Sequence, residues 1–189
     1  MKRLRSQIVS GVLVLSMLAT ILPMPAFAVS KKVSVENQTV KSEALKESDT
    51  PANGSCGENV VWNFDIDTGI LTITGTGEML NYSNENALKQ PWRDLEDLIL
   101  EVKIGQGIVN VGDYAFSHCD NLQKITLPDT LKSIGSGAFE YCRNIDAVVF
   151  PDNLKSIGNS AFLECEALQD IVLPLGLENI YDRAFYQCK

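Results

Sequence analysis

The chain has 189 residues, of which 24 are acidic and 16 are Lys or Arg, giving a formal net charge of −8. Nucleic-acid binding depends on a basic stripe along one face, so this acidic balance argues against DNA or RNA as a partner. The chain has a single histidine and no Cys-x-x-Cys pair, which argues against a metal centre.

The first 28 residues have the pattern of an export signal. A basic head at 2–5 precedes an apolar stretch at 8–22, and the motif Ala-Phe-Ala at 26–28 has the small residues of a cleavage site. We expect a signal peptide over 1–28. Its removal would leave 13 basic and 24 acidic residues, a net charge of −11, and no stable membrane span. An uncleaved membrane anchor is the alternative, because the apolar stretch is near the lower length limit for a span, although two prolines interrupt its end.

Residues 29–54 are rich in Lys, Glu, Ser, Thr and Asn and show no hydrophobic period, so they are predicted to be a disordered linker. The segment 55–85 is predicted to be an N-terminal β-hairpin cap. Its residues 60–66 and 70–74 are strand-like, and Asp-Thr-Gly at 67–69 provides the turn between them. We expect this hairpin to cover the first open edge of the structure that follows, because an uncovered sheet edge promotes aggregation.

A 23-residue repeat occupies the rest of the chain. The pair Ala-Phe, with Cys three residues after the Phe, recurs in four aligned segments, 112–119, 135–142, 158–165 and 181–188. A fixed period between about 20 and 29 residues predicts a stacked solenoid in which each repeat is one coil. Each coil is expected to contain a short strand, such as 125–127, that pairs in parallel with the same strand of the next coil. The strand ends at a proline, and one helical turn then carries the inward Ala, Phe and Cys.

Subtracting 23 from these positions gives an earlier, degenerate coil at 86–108, in which Val102, Ile104 and Ile108 fall on apolar columns. The solenoid is therefore expected to span 86–189, with one degenerate and about three and a half regular repeats, and to be open at the C-terminus. Because the pattern predicts a further strand after residue 189, we expect the chain to be a fragment of a longer protein.

The repeat unit resembles the BspA-type leucine-rich repeat of bacterial surface and secreted proteins. The shared pattern is Ile-Gly-x-x-Ala-Phe-x-x-Cys-x-x-Leu-x-x-Ile-x-Leu-Pro-x-x-Leu-x-x-Ile. The segments 56–62, 75–79 and 91–92 are similar to the cap that precedes such arrays, so the resemblance covers about residues 55–189. It implies an α/β leucine-rich-repeat solenoid of mostly short parallel strands, with one helical turn per coil and a β-hairpin cap before the array.

The resemblance also implies a function. Such repeats mediate protein–protein or adhesive contacts, so we expect an exported, non-enzymatic module that is secreted or at a bacterial cell surface. Its partner would be a protein, such as a host or neighbouring-cell surface protein, and no cofactor is expected. Two alternatives stay open: the targeting region of a larger secreted enzyme whose catalytic domain lies beyond residue 189, and a structural spacer.

Four of the five cysteines recur with the repeat, at Cys119, Cys142, Cys165 and Cys188. Each occupies an inward position beside a Phe, where a free Cys behaves as a small apolar residue, so a buried, unpaired ladder is the favoured interpretation. A disulfide between stacked coils is the alternative, because adjacent coils bring equivalent residues near bridging distance.

Two short motifs superficially suggest catalysis. His118 next to Cys119 resembles a base beside its nucleophile, but the equivalent residues of the other coils are Tyr, Glu and Gln, which marks a solvent-facing column. Asp-Thr-Gly at 67–69 matches a string of aspartic proteases, whose mechanism needs two such carboxylates, and the sequence has no second copy. No catalytic, cofactor-binding or metal-binding residue is therefore predicted.

The outward positions of the strands are the candidate binding site. They form two columns across the sheet, one of Glu101, Lys124, Ala147 and Asp170, and one of Lys103, Thr126, Val149 and Val172. Val149 and Val172 are apolar where water is expected, which favours contact with a partner. The alternative is that β-branched residues occupy these positions only because of their strand propensity.

Overall fold

The computed structural model describes residues 52–83 and 88–189. The predicted signal peptide, 1–28, lies outside the described residues, as does the predicted linker as far as residue 51. The described end of that linker includes Asn53–Ser55, which form a strand. From residue 88 onward the chain winds into stacked coils built from short strands and turns.

Within the described ranges, the strands form two sheets. The larger sheet contains, in spatial order, β1 (Asn53–Ser55), β2 (Val60–Asp65), β3 (Ile70–Gly75), β4 (Glu101–Ile104), β6 (Lys124–Thr126), β8 (Ala147–Val149) and β10 (Asp170–Val172). The smaller sheet contains, in spatial order, β5 (Asn110–Val111), β7 (Ser133–Ile134), β9 (Ser156–Ile157) and β11 (Asn179–Ile180). Each coil therefore contributes one strand to each sheet.

The register between coils follows the sequence repeat. β2 pairs with β1 and β3 in antiparallel fashion, and β3 then pairs in parallel with β4. From β4 onward the paired strands are parallel and their partners are 23 residues apart, as in Val102 opposite Ile125 and Val148 opposite Ile171. β4 thus lies where subtraction of one repeat length places it, although its coil has a different sequence.

The apolar columns of the repeat meet inside the solenoid. In β6 and β8 only the central residue, Ile125 or Val148, is buried, because successive side chains of a strand point to opposite faces. Phe116, Phe139 and Phe162 are fully buried, and their rings stack with centroids 5.3 and 5.2 Å apart. Each coil covers the apolar side of its neighbour, and this burial stabilises the array.

Trp92 continues the aromatic stack into the leading coil. Its ring stacks on Phe116 with the centroids 5.4 Å apart, and its indole N–H donates a hydrogen bond of 2.9 Å to the carbonyl of Ala115. Trp62 of β2 and Tyr82 contact the same ring edge-on, at 5.7 and 5.8 Å. The hairpin is therefore attached to the solenoid through aromatic contacts as well as through the β3–β4 pairing.

The regular coils do not contain the predicted helical turn. The segments that carry the inward Ala, Phe and Cys are consecutive turns, and the only helix in the described part of the chain is the 3-10 helix Arg93–Leu98. The reason is that two residues in each segment have positive φ, at these positions: Tyr114 and His118, Gly137 and Tyr141, Ser160 and Glu164, Arg183 and Gln187. A residue in the left-handed region cannot continue a right-handed helix.

The left-handed residues direct backbone N–H groups toward the next coil. Tyr114 donates to the carbonyl of Ser136 at 2.9 Å, and Phe116 donates to that of Ala138 at 2.8 Å. Equivalent bonds join the following coils, for example from Phe139 to Ala161 at 2.8 Å. The coils are therefore connected by a ladder of hydrogen bonds between turns, in addition to the two sheets.

None of the helices in residues 52–83 and 88–189 is long and apolar enough to cross a membrane.

Candidate interaction surface

The structure places all eight predicted site residues on one side of the larger sheet. We call this surface the outer face; it consists of Glu101, Lys103, Lys124, Thr126, Ala147, Val149, Asp170 and Val172. They are the outward residues of β4, β6, β8 and β10, and the strand register arranges them in two rows across the sheet. Backbone pairing within a rigid sheet fixes their relative positions.

One half of the outer face is charged. The carboxylate of Glu101 lies 3.1 Å from the Lys124 ammonium and 3.6 Å from that of Lys103. Glu101 is mostly covered, whereas the Lys124 side chain is 68% exposed. An exposed ion pair contributes only about 0.2–1 kcal/mol to stability. The main effect of the pairs is therefore to hold two ammonium groups at the surface of β4 and β6.

The other half of the outer face is apolar. Val149 is 84% exposed and Val172 is 80% exposed, and Ala147 beside them is also exposed. Val149 lies on β8, between β6 and β10, so its exposure does not result from the lack of a neighbouring strand. Asp170 on β10 is the one charged residue of this half.

A shallow depression separates the two halves. β6 and β8 pair only through Lys124 and Ala147, whereas β4–β6 and β8–β10 each have three paired positions. Where the ladder opens lies a depression of about 330 Å³ lined by Lys124, Ile125, Thr126, Leu127, Asp129, Val149 and Pro151. Its walls are mainly aliphatic and its rim carries one ammonium and one carboxylate. The depression can accept an apolar side chain.

The cysteine ladder lies inside the solenoid and not at its surface. All five cysteines are free, so the alternative of disulfides between coils is not realised. The thiols of Cys142, Cys165 and Cys188 donate to the Phe carbonyl of the preceding coil, over 3.1, 3.2 and 3.2 Å. Burial raises the pKa of the Cys142 and Cys165 thiols, and it raises the pKa of Cys56 to about 12. These thiols are protonated core groups and poor nucleophiles.

We expect the raised thiol pKa values to make the fold less stable in alkaline solution. A thiol whose pKa is higher in the folded than in the unfolded chain stabilises the fold below the unfolded value of about 8.5, and that contribution is lost as the pH rises above it. Burial also raises the pKa of Tyr82, which acts in the same direction. The urea concentration at the unfolding midpoint should therefore decrease as the pH is raised from about 8.5 toward the Cys56 pKa of about 12.

The control for this prediction is a Cys56→Ala variant, which removes one thiol and should show a shallower alkaline decline. A urea midpoint that stays constant from neutral pH to about pH 10 would contradict the burial of the thiols in the native state.

His118 lies on the turn side of the solenoid and is not paired with Cys119 as base and nucleophile. Its ring stacks on Tyr141 with the centroids 4.5 Å apart. Cys119 is buried, and burial raises the pKa of its thiol. A buried, protonated thiol and a half-buried imidazole stacked on Tyr141 do not make a catalytic pair.

The sequence analysis missed an ion cluster beside His118. Arg143 lies 3.0 Å from Asp120, 3.2 Å from Glu164 and 3.5 Å from Glu166, and its guanidinium lies 5.2 Å from the centroid of the Tyr141 ring. The sequence does contain a pattern that predicts this cluster. One column of the repeat reads Asp120, Arg143, Glu166, so a basic residue lies between two acidic ones. The cluster links three coils on their turn side.

Asp-Thr-Gly at 67–69 forms the hairpin turn. The backbone N–H of Asp67 donates to the Asp65 carboxylate at 3.0 Å, and Gly69 has a φ of 69°, which suits glycine. No group of three or more His, Cys, Asp or Glu side chains in the described part of the chain could hold a metal ion.

Short parallel strands, stacked coils and inward apolar columns define this protein as a leucine-rich-repeat solenoid. Modules of this fold generally bind proteins and are typically non-enzymatic. Residues 96–189 match the family model of the BspA type leucine rich repeat region, in 6 copies. Through this array the chain belongs to the BspA-type leucine-rich repeat family.

Two solved structures are similar to the chain. The T. pallidum leucine-rich repeat protein TpLRR is 28% identical, with a TM-score of 0.51, and the match covers 67% of this chain and 64% of that one. A leucine-rich repeat protein from Eubacterium ventriosum is 26% identical, with a TM-score of 0.49, and the match covers 68% of this chain and 43% of that one. The chain thus spans less than two thirds of the length of either protein. No curated protein sequence matches it.

Proposed function

We propose that the chain is an exported, non-enzymatic module that mediates protein–protein contact or adhesion at a bacterial cell surface through its outer face. The observation that carries this proposal is the exposure of Val149, at 84%, on a strand with neighbours on both sides. Exposed apolar residues that adjoin one another on a rigid surface are typical of interaction sites. The pattern at 1–28 supports export, because a basic head, an apolar stretch and a small-residue cleavage site are the parts of a signal peptide.

The distribution of residues on the outer face supports recognition of a protein. Interfaces commonly have an apolar centre and a polar, charged rim. Here Ala147, Val149 and Val172 supply the apolar part, while Lys124 and Asp170 lie on either side of Ala147. Binding energy concentrates where an apolar side chain enters a pocket, and the depression beside Val149 offers such a pocket.

The proposal also gives the hairpin a structural role. β3 supplies a parallel partner for β4, and Trp62 of β2 packs edge-on against Trp92. Both features cover the side of the leading coil that faces away from the repeats. The hairpin thus protects that coil in the way proposed for a cap, and it leaves the outer face of the later strands accessible.

We expect Val149→Lys to abolish partner binding without unfolding the chain. The ammonium would place a hydrated charge at the centre of the apolar half, whereas an exposed position tolerates Lys with a stability change within about 0.5 kcal/mol. The measurement is binding of the labelled chain to an array of purified cell-surface and extracellular proteins, with thermal unfolding as the check on folding.

The matched control is Val61→Lys, which makes the same exchange at a half-exposed valine, 51% exposed, on β2. This variant should bind every array protein that the wild-type chain binds. Equal binding by Val149→Lys and wild type would show that the outer face is not the binding site.

A further inference from the structure

The charges of the outer face are complementary to themselves. Lys124 lies on β6 and Asp170 lies on β10, in the same row and on opposite sides of Ala147 on β8. Both charged side chains are exposed, and Ala147 between them is small. Across these three strands the row therefore reads cation, apolar residue, anion.

Two copies of the outer face can be related by a two-fold axis that runs along β8 in the plane of contact between them. This axis places each charge of the row against the opposite charge of the second copy. Rotation by 180° about the axis exchanges the β6 side with the β10 side, so that Lys124 of one copy faces Asp170 of the other. The same rotation places Val149 against its own copy and Thr126 against Val172. Because every contact in such an isologous interface occurs twice, two ion pairs would flank one apolar centre.

We propose that a second copy of this chain docks on the outer face in this arrangement. This inference rests on the proposed function, because it names the partner of the same surface. Face-to-face packing of two sheets, with the strands about 30° apart and the sheets about 10 Å apart, is a common geometry. It would remove from water Val149 and Val172, which are 84% and 80% exposed.

The charge pattern selects this axis over the other axis that lies in the contact plane. An axis perpendicular to the strands would place Lys124 against Thr126 and Asp170 against Val172, so neither charge would face an opposite charge of the second copy. Along β8, by contrast, the Lys124 ammonium stays beside Glu101, 3.1 Å away, while it gains the carboxylate of the second copy. Electrostatic complementarity of this kind fixes the register of a complex.

The test is sedimentation equilibrium of the purified chain over a range of concentrations. We expect the wild type to be in a monomer–dimer equilibrium. Lys124→Glu and Asp170→Lys should each weaken the dimer by roughly tenfold or more, because each creates two like-charge contacts per dimer. The double variant Lys124→Glu/Asp170→Lys restores opposite charges across the axis, so it should form a tighter dimer than either single variant, although its carboxylate at position 124 now lies beside Glu101.

Matched controls are Lys132→Glu and Asp182→Lys, two exposed positions outside the outer face, and both should leave the equilibrium unchanged. A wild-type chain that is monomeric up to about 1 mM would overturn the inference, and so would a double variant that stays monomeric. If the chain is monomeric but Val149→Lys still abolishes binding to an array protein, this inference fails and the proposed function stands. If the charge swap restores the dimer but Val149→Lys leaves array binding intact, the dimer stands and a partner-binding role of the outer face fails.

Discussion

Replacing Phe139 with Ala should destabilise the solenoid by about 3–5 kcal/mol, as expected for truncation of a fully buried aromatic ring. Phe139 has no exposed surface and stacks on Phe116 at 5.3 Å and on Phe162 at 5.2 Å. The cavity would therefore open between two coils and reduce the burial of both neighbours. Equilibrium urea unfolding followed by circular dichroism measures the loss.

The control is Phe185→Ala. Phe185 is half-buried and stacks on Phe162 at 5.4 Å, so its truncation removes less packing than that of Phe139. If Phe139→Ala does not fold, Phe139→Leu keeps most of the volume and should cost less than Phe139→Ala. Equal losses for Phe139→Ala and Phe185→Ala would contradict the stacked arrangement of the coils.

Trp92→Ala is expected to have an effect of similar size, about 3–5 kcal/mol, at the other end of the stack. The ring of Trp92 is 1% exposed, and it packs between Phe116 of the first regular coil and Trp62 of the hairpin. Its loss should detach the hairpin from the repeats, so protection from hydrogen exchange should fall in β2 and β3 before it falls in β8. This measurement separates local detachment from global unfolding.

Trp92→Phe isolates the hydrogen bond of the indole. A phenyl ring keeps the stacking but cannot donate to the carbonyl of Ala115, which is buried and accepts the indole N–H at 2.9 Å. Leaving a buried acceptor unpaired costs about 1–3 kcal/mol. A Trp92→Phe variant as stable as the wild type would show that this bond contributes nothing to the attachment of the leading coil.

The stacking of the repeats could be predicted from the sequence because it depends on periodic burial. The Ala, Phe and Cys columns recur every 23 residues without a slip, and only stacked coils bury all of them at once. The same register fixes the outer face, since residues that flank a buried strand centre such as Ile125 must point outward. The repeat spacing therefore predicts where these outward residues lie, and this prediction requires no knowledge of the ligand.

The geometry of the turns could not be predicted in the same way. Left-handed backbone is usually signalled by Gly or Asn, yet the two left-handed columns contain residues such as Tyr114, Ser160 and Glu164, and a single glycine, Gly137. Hydrogen bonds to the next coil impose the left-handed backbone at these positions. The local propensity of a residue gives no information about such bonds. The stacking of Trp92 could not be predicted either. Trp92 aligns with Ala115 in the repeat, whereas its ring continues the aromatic stack of Phe116.

The Ala-Phe turns donate along the array, from N–H groups such as those of Tyr114 and Phe139 to carbonyls of the coil that follows, whereas the strand regions donate in the other sense, as from Gly158 to Ile134. Every junction between regular coils therefore repeats the same set of main-chain bonds, with donors and acceptors on both sides. Because these bonding groups belong to the main chain, the same bonds can form wherever one regular coil follows another. Duplication or deletion of one complete unit at the genetic level would therefore preserve every junction, whereas a single inserted residue would misalign all the units after it.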